Sequence, residues 1–516
     1  MSLGIPETVG DNILSTTIPP CVGGWNTKDA LISMPPEDAI ELENLYPDND
    51  KVNLRRGFRL ASAISGAAST DIIDGLGVLA YGQTEYLVGY SSAQSELYNM
   101  SSGVASALTG AAPTNGAVNM LQFKDTLYFV SFDSTNDIYS WPGSGAVATP
   151  AFVGPGGDDK DIGVITSYRR RLYFGQRTSP ILWYGAVDQS EHGGVNLNYI
   201  DLRTVLKLGG DIIIIGSTSR AKDFNEDSLF VIVSSRGEVL LYQGEYPGSA
   251  TWGLVGQYFI PRPVGFKGFF YYGADLCIIT RSGVVPMSEI IGYGQLREQA
   301  FLSYKIGAAF KAAATDALLV SPYIHNWMGL YYQRGNYVLI NAPSEASQTG
   351  ARVQFIKNMQ TGAWTKFTGQ TGHAWTLFND RLYFGSNYGK VFKADEGDFD
   401  ESLSSAGTAV DTAVKMRQAL NYLGDYGKKK HFHFIRPIIK QDDGLNLTMG
   451  INVDYEDTVT TNTSTDTSDT SLILRQPLIK VSGLGRAFSL RQDQNMKNMT
   501  YEHYATEILY TPGGVR

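Results

Sequence analysis

The histidines are the first residues to test for chemistry, because imidazole binds metals and exchanges protons near neutral pH. Six occur, at positions 192, 325, 373, 431, 433 and 503. His431 and His433 flank Phe432, so on a β-strand their side chains share one face. A zinc site needs a third ligand, such as His503 or an aspartate, and the sequence does not show one. We therefore favour polar residues on an exposed or interface face over a metal site.

Two acidic turns are the next candidates, because carboxylates bind calcium and catalyse the hydrolysis of glycosides. The turns are GGDDKD at 156–161 and ADEGDFDES at 394–402. In the second turn, Asp395, Asp398 and Asp400 lack the spacing and the distal Glu of an EF-hand. We interpret both turns as solvated, and we expect no bound metal.

No other pattern in the sequence points to a reaction. There is no GxSxG, HExxH or P-loop motif, and Cys21 and Cys277 form no CxxC pair. A disulfide framework and a zinc cluster are thereby excluded. The net charge of −9 argues against tight binding of phosphates. We expect no catalytic residue and no cofactor, and we predict that the chain is not an enzyme.

The elements that carry these residues follow a repeat. The pentapeptide RLYFG occurs at 171–175 and again at 381–385, each time with an aromatic residue four positions before its leucine. Variants of this pattern give seven aromatic anchors, at Tyr81, Phe123, Tyr168, Phe224, Tyr272, Tyr332 and Phe378. Spacings of 42 to 60 residues between successive anchors are typical of propeller blades with about four strands each.

The repeat therefore predicts an all-β fold, with a β-propeller over residues 61–404. Seven blades are favoured and six are possible; a generic β-sandwich is the alternative. The Ala-rich segment KIGAAFKAAATDA at 305–317 predicts a helical insertion on one blade. The residues expected in the blade cores are Leu127, Tyr128, Leu172, Tyr173, Leu382 and Tyr383.

Residues 1–60 and 405–516 lack the repeat, and we predict that they pair into a smaller, β-rich platform domain. MPPEDAIELENLYP at 34–47 has prolines at both ends and early acidic residues, which predicts a short helix. Segments 430–440 and 447–457 predict a strand pair, and the low-complexity run at 457–471 predicts a mobile loop. We see no signal peptide and no transmembrane segment, so we expect assembly inside a cell without membrane insertion.

Both ends of the chain resemble the tail nozzle, or tail hub, proteins of short-tailed bacteriophages. The first segment is GGWNTKDALISMPPEDAIELENLYPDNDKVNLRRGF at 23–58, which ends in Arg55, Arg56, Gly57 and Phe58. The second is KKKHFHFIRPIIKQDDGLNLTMGINVDYED at 428–457. GLGRAFSLRQ at 483–492 and EILYTPGGVR at 507–516 also fit.

The resemblance implies that a platform built from both termini carries the propeller. Six copies would form a ring below the portal and the adaptor protein, extend the DNA channel, and hold the tail fibres and the needle. The ring would help to retain and then release DNA, which passes without sequence-specific binding. The protein would be part of the virion tail, assembled in the cytoplasm of the host bacterium. The expected interface residues are Trp25, Arg55, Arg56, Lys429, His431, His433 and Arg436.

Two alternatives stay open. The first is a carbohydrate-active propeller enzyme, which would need paired carboxylates near the axis of the ring. The second is a propeller scaffold for cellular partners, because one fold serves many functions. Large contacts between copies of the chain would favour the nozzle over both.

Overall fold

The architecture comes from a computed structural model, and the part of the chain that it describes is all-β apart from two α-helices and two 3₁₀ turns. The structure describes residues 13–114, 117–132, 137–150, 153–154, 157–158, 161–189, 197–219, 228–294, 297–318, 327–343, 352–442, 445–456, 460–466 and 473–513. The chain folds into two compact units. We call the first the platform unit, formed by Met1–Arg55, Lys357–Phe367 and Ala409–Arg516. We call the second the propeller unit, formed by Arg56–Ile356 and Thr368–Thr408.

The chain begins with five short strands of the platform unit. They are β1 (Leu14–Ile18), β2 (Gly24–Trp25), β3 (Asp38–Glu43), β4 (Leu45–Pro47) and β5 (Val52–Leu54).

The propeller unit follows as a series of antiparallel meanders. Its first strands are β6 (Phe58–Ala63), β7 (Ile73–Tyr81), β8 (Thr84–Ser91), β9 (Glu96–Asn99), β10 (Ser106–Ala107), β11 (Val118–Phe123), β12 (Thr126–Ser131), β13 (Tyr139–Trp141), β14 (Val153–Gly154), β15 (Gly157–Asp158), β16 (Ile162–Tyr168), β17 (Arg171–Gln176), β18 (Ile181–Tyr184) and β19 (Asn198–Asp201). The next are β20 (Ile212–Ser219), β21 (Ser228–Ser234), β22 (Glu238–Gln243), β23 (Gly253–Phe259), β24 (Phe269–Tyr272), β25 (Asp275–Thr280) and β26 (Gly283–Pro286).

A helical segment separates these strands from the rest of the propeller. It contains α1 (Met287–Tyr293), the 3₁₀ turns Glu298–Ala300 and Tyr304–Ile306, and α2 (Gly307–Leu318). The helix predicted at 305–317 is thus confirmed. The later strands are β27 (Met328–Tyr332), β28 (Tyr337–Pro343), β29 (Arg352–Asn358), β31 (Ala374–Phe378), β32 (Arg381–Gly385), β33 (Lys390–Ala394) and β34 (Asp400–Glu401), with β30 (Trp364–Phe367) belonging to the platform unit.

The prediction of an all-β propeller is confirmed. Six separate blade sheets are β7–β10, β11–β13, β16–β19, β20–β23, β24–β26 and β31–β33 with β6. The meander β27–β29 lies between the last two, where β27 packs against β24 and β31. The first strands of most successive meanders pack side by side, β20 packs against β25, and β31 returns to β7, so the meanders surround a central channel.

The aromatic anchors have a common place in this ring. Tyr81, Phe123, Tyr168, Tyr272, Tyr332 and Phe378 each end the first strand of a meander. The following leucines start the buried part of the second strand. Leu127, Tyr128, Leu172, Tyr173 and Leu382 are buried, whereas Tyr383 is only partly buried. The anchor Phe224 lies outside the residues that the structure describes.

The ring closes where its earliest strand joins its last blade. Strand β6 pairs antiparallel with β33, with Phe58 opposite Ala394. The Phe58 ring is buried and lies edge-on against Phe384 and Phe392, 5.2 Å from each. A Cβ on Gly57 would stand 1.8 Å from the carbonyl oxygen of Phe399, so only glycine fits there. Gly57 and Phe58, which end the N-terminal segment at 23–58, therefore have a structural role in closing the propeller ring.

The remaining strands complete the platform unit. They are β35 (Ala409–Val410), β36 (Thr412–Gln418), β37 (Lys430–Gln441), β38 (Leu445–Val453), β39 (Thr460–Asp466), β40 (Ile473–Arg475), β41 (Ile479–Gly485), β42 (Phe488–Met496) and β43 (Tyr501–Pro512). Strand β43 pairs with β1, β5 and β37, so both ends of the chain share one sheet. A second group of strands runs β3–β36–β42–β38–β39. One hydrophobic cluster, which includes Leu42, Ile435 and Leu490, contains residues of both groups of strands.

Three local predictions in the platform unit are wrong. The helix expected at 34–47 is replaced by β3 and β4, because β3 pairs along its length with β36 and pairing outweighs weak local propensity. Strands β37 and β38 form but do not pair with each other; β38 pairs with β39 and β42. Part of the expected loop at 457–471 is strand β39, whose many threonines suit a strand.

Candidate functional site

The central channel of the propeller has two ends, and each carries a cavity. We call the end where the first strands begin the starting end, and the other the finishing end. The starting-end cavity has a volume of about 180 Å³. It is lined by Leu76, Val118, Asn119, Met120, Lys267, Phe269, Met328, Gly329, Ala374 and Trp375. Lys267 supplies the charge in a wall that is otherwise mostly apolar.

Lys267 reaches across the channel. Its Nζ donates to the carbonyl oxygen of Asp74 on β7, 3.4 Å away, although β24 and β7 are not neighbours in the ring. The carboxylate of Asp74 accepts the N–H of Ser92 at 3.2 Å. Burial raises the pKa of Asp74 to about 6, against the opposing effects of Ser92 and Lys267.

The residue before Lys267 holds the same segment in place. The Phe266 ring stacks on Phe132 with 4.5 Å between centroids and an interplanar angle of 5°. Phe132 directly follows β12, so the segment before β24 is tied to the first and second blades. The starting end of the channel is therefore crossed by side chains.

The finishing-end cleft is larger, at about 430 Å³. It lies between the β27 meander and the last blade, and its lining residues are Tyr332, Gln333, Arg334, Leu377 and Asp380. The hydroxyl of Tyr332 donates to Oδ2 of Asp395 at 3.3 Å. Tyr332 is buried, so its ring is part of the wall of the cleft.

Three guanidinium groups act electrostatically on Asp395, and two of them also act on Tyr332. Burial raises the pKa of Asp395, while Arg56, Arg381 and Arg334 act to lower it. Burial and Asp395 raise the pKa of Tyr332, which Arg334 and Arg381 again oppose. The charged side chains that line the cleft itself are Arg334 and Asp380.

The carboxylates of the two cavities are few. Within the described part of the chain, no carboxylate lines the starting-end cavity and only Asp380 lines the finishing-end cleft. Asp398 is exposed, and Asp400 is buried in β34 opposite Phe58. No group of three metal-ligating side chains occurs among the described residues.

The histidine pair lies on the platform unit, and the described residues form no metal-binding group of three ligands around it. The rings of His431 and His433 are 4.3 Å apart, and His433 Nε2 is 2.8 Å from Thr511 Oγ1. His503 is buried opposite Ile439, further along β37, and contacts Thr506 Oγ1 at 2.8 Å. His192 and His325 lie outside the described residues, as do residues 156, 159 and 160 of the first acidic turn.

The other expected interface residues divide into buried and exposed groups. Trp25 Nε1 donates to the carbonyl of Ile40 at 3.1 Å. Arg55 is buried and donates through Nε to Asn44 Oδ1 at 2.7 Å. Both side chains are thus used within the platform unit.

Of the remaining residues, Arg436 forms an ion pair with Glu507 at 2.8 Å. Lys429 and His431 are exposed on the platform unit. Arg56 belongs to the propeller unit, where it acts on Asp395 at the finishing end.

The sequence reasoning missed Asp74, Lys267, Arg334 and Arg381 as site residues. Arg334 follows the anchor Tyr332, and Arg381 follows the anchor Phe378, each in or beside a turn. Their positions relative to the repeat could therefore have indicated them. Lys267 precedes a first strand without any motif, and only the closed ring brings it to Asp74.

Comparisons with known proteins come from solved structures alone, because no family model and no curated protein matches the sequence. The exo-β-1,3-galactanase of Phanerochaete chrysosporium with galactose is 9% identical, and the match covers 78% of this chain and 98% of that one, with a TM-score of 0.27. A glycoside hydrolase family 43 arabinoxylan arabinofuranohydrolase from Bacillus subtilis is 11% identical, with coverages of 86% and 96% and a TM-score of 0.25.

These matches correct one expectation. Both structures are named as carbohydrate-cleaving enzymes, which contradicts the prediction that this chain is not an enzyme, and that prediction is withdrawn.

No helix in the described ranges is long and apolar enough to cross a bilayer.

Proposed function

We propose that the chain is a subunit of the tail nozzle of a short-tailed bacteriophage, six copies of which surround the path of the DNA. One observation carries the proposal: the two terminal segments with the nozzle-like motifs fold together into one platform unit, with the propeller inserted between them in the chain. Strand β43 from the C-terminal motif pairs with β1 and β5 from the N-terminal region. This is the organisation that the resemblance implies.

The dimensions of the propeller support a path between copies rather than through one. The starting-end cavity has a volume of only about 180 Å³, and a duplex, whose major groove alone is about 12 Å wide, does not fit in it. Side chains also cross the starting end. The net charge of −9 suits a surface along which DNA slides without being held.

The proposed partners are further copies of the chain, the tail adaptor, the fibre proteins and the needle. The proposed location is the virion tail, assembled in the bacterial cytoplasm. In this role the ring helps to retain the genome and then to release it.

Antibody labelling of purified virions of a phage whose genome encodes this chain tests the proposal. Gold particles are expected at the tail, below the portal vertex, and averaged images should show a six-fold ring there. Labelling on the capsid, or absence of the chain from purified virions, would contradict the nozzle.

A second candidate, a carbohydrate-active propeller, is favoured by Asp74. A carboxyl group with a pKa of about 6 is suited to act as a general acid. Asp74 does not itself line the starting-end cavity, but Leu76, two residues further along β7, does so together with Trp375, and aromatic rings are common in sugar sites. Release of reducing ends from a panel of polysaccharides is the assay.

The matched variant for this second function is Asp74→Asn, which keeps the shape of the side chain. It should abolish release of reducing ends while the melting temperature stays close to that of the wild type. Turnover that survives in Asp74→Asn, or no turnover by the wild type on any polysaccharide, would remove this candidate.

A further inference from the structure

We propose that Arg262 and Arg281, at the starting end of the fifth blade, bind the phosphate group of a small phosphate ester. The site is separate from the starting-end cavity, which neither residue lines, and it depends on neither of the functions proposed above. It follows from the pairing of the two arginines, from the lack of a counter-charge for them, and from the rigidity of their backbone.

Backbone pairing places the two arginines side by side. Pro263 and Thr280 form an isolated antiparallel bridge, and the N–H of Arg281 donates to the carbonyl oxygen of Arg262 at 2.9 Å. Arg262 is therefore directly opposite Arg281. Residues in this relation share a face, with Cβ atoms about 4.5–5.5 Å apart. Pro263 and Thr280 are buried, whereas Arg262 is exposed and Arg281 is partly exposed, so the arginines share the solvent side of the bridge.

The two positive charges have no counter-charge in the described part of the chain. Neither side chain forms a hydrogen bond or an ion pair with another described residue, and Nε of Arg281 is buried without a partner. Burial and the charge of Arg262 lower the pKa of Arg281, and no described carboxylate acts to raise it. Like charges directly opposite each other destabilise a pair of strands. A ligand with two negative charges would remove this repulsion.

Carboxylates on the neighbouring segments have partners of their own. Both carboxylate oxygens of the buried Glu238 accept backbone N–H groups, at 2.8 and 2.7 Å. Glu298 forms an ion pair with Lys311 at 3.9 Å. Burial raises the pKa of Asp211, and the charge of Arg236 opposes this. The positive charge at the bridge is therefore a local feature of a chain whose net charge is −9.

The chemistry of the pair selects a phosphate group over a carboxylate. A guanidinium binds phosphate through two parallel hydrogen bonds. A phosphate monoester has a charge of about −1.5 to −2 at pH 7, which matches two arginines, whereas a carboxylate has a single charge. Ser282, which follows Arg281 and is partly exposed, has a hydroxyl that can donate to a third phosphate oxygen.

The backbone that carries the arginines is held in place. Arg262 stands between two prolines, whose fixed φ angles restrict the segment. Arg281 lies in the two-residue turn between β25 and β26, where Thr280 pairs with Gly283 and its Oγ1 donates to the carbonyl oxygen of Gly283 at 2.6 Å. Mainly side-chain freedom is lost when a ligand binds, which lowers the cost of binding.

Phosphorus NMR and calorimetry on the full chain test the proposal, with glucose 6-phosphate, inorganic phosphate, acetate and a short DNA duplex as probes. Glucose 6-phosphate should bind, and acetate should bind at least tenfold more weakly. Acetate as tight as the ester would overturn the preference for phosphate. Binding of inorganic phosphate without the ester would mean an adventitious ion only. A duplex that binds more tightly than the ester would assign the site to a nucleic-acid backbone and overturn the small ligand. Absence of glucose 6-phosphate binding would overturn the whole proposal.

Neutral variants locate the ligand. Arg262→Gln and Arg281→Gln should each weaken binding of glucose 6-phosphate at least tenfold. Arg203→Gln is the matched control, because it removes the same charge from the starting end of the third blade, where Arg203 is paired with Asp201. This control should bind the ester like the wild type. Unchanged binding in both Arg262→Gln and Arg281→Gln would refute the site.

The variant Arg262→Glu separates the loss of binding from a loss of folding. In phosphate-free buffer it should melt above the wild type, because Arg281 then faces a carboxylate. Glucose 6-phosphate should raise the melting temperature of the wild type and leave that of Arg262→Glu unchanged. If Arg262→Glu melts below the wild type in phosphate-free buffer, the two arginines do not repel each other and the argument for a missing counter-ion fails.

Discussion

Replacing Phe58 with alanine should open the propeller where β6 joins the last blade. The side chain is 1% exposed and contacts the rings of Phe384 and Phe392 edge-on. Removal of a buried phenylalanine costs about 3–5 kcal/mol, and each aromatic pair adds about 0.5–1.5 kcal/mol beyond the buried area. We expect the propeller unit to lose about 4 kcal/mol, because the neighbouring rings partly fill the space.

Hydrogen exchange resolved by mass spectrometry is the appropriate assay, because the chain has two units and a single melting curve would mix them. In Phe58→Ala, amides of β6 and β33 should exchange faster by roughly two to three orders of magnitude, since about 1.4 kcal/mol corresponds to a factor of ten. The amides of the platform strands β37 and β43 should exchange as in the wild type.

Phe259→Ala is the matched control, because Phe259 lies on β23 of another blade and is 50% exposed. Its exchange pattern should change by less than a factor of about three, as is usual for surface substitutions. If Phe58→Ala resembles this control, the closure is not held by the buried ring and the reasoning is refuted.

Three further predictions concern single sites. Gly57→Ala should cost several kcal/mol and lower the melting temperature, because its Cβ would overlap the carbonyl oxygen of Phe399; a normal melting curve would contradict this. Burial lowers the pKa of His503 to about 4, so the unfolded chain binds a proton more readily. Stability should therefore fall between pH 6.5 and 4 by up to roughly 3 kcal/mol, and His503→Gln should flatten that slope in urea titrations. Both Cys21 and Cys277 are buried, and burial raises the pKa of Cys21, so a thiol reagent should modify neither before denaturation and both after it.

Much of the propeller could be predicted from local patterns. The aromatic anchors mark the ends of first strands because a strand, a polar turn and a second strand are all encoded within about fifteen neighbouring residues. Helix α2 could also be predicted from its own residues, because its alanines favour a helix without tertiary support. The segments at 430–440 and 447–457 were also predicted as strands from their own residues, although the predicted pairing between them was wrong.

The choice of partners is what local patterns could not predict. Residues 38–43 were predicted to be helical but form β3, because β36, more than 360 residues away, supplies the strand with which they pair. The strands β37 and β38 follow each other in the chain but belong to different sheets. Lys357–Phe367 joins the platform unit, although nothing in the repeat sets it apart.

The same distinction applies to the candidate sites. The sequence by itself determined which residue types stand in the turns, and so placed Arg334 and Asp380 beside anchors. Only the tertiary structure brought them together with Arg56 and Asp395, and Lys267 with Asp74. The physical reason is that strand and turn propensity act between near neighbours, whereas a cavity is made by closure of the ring, which depends on contacts between strands far apart in the chain.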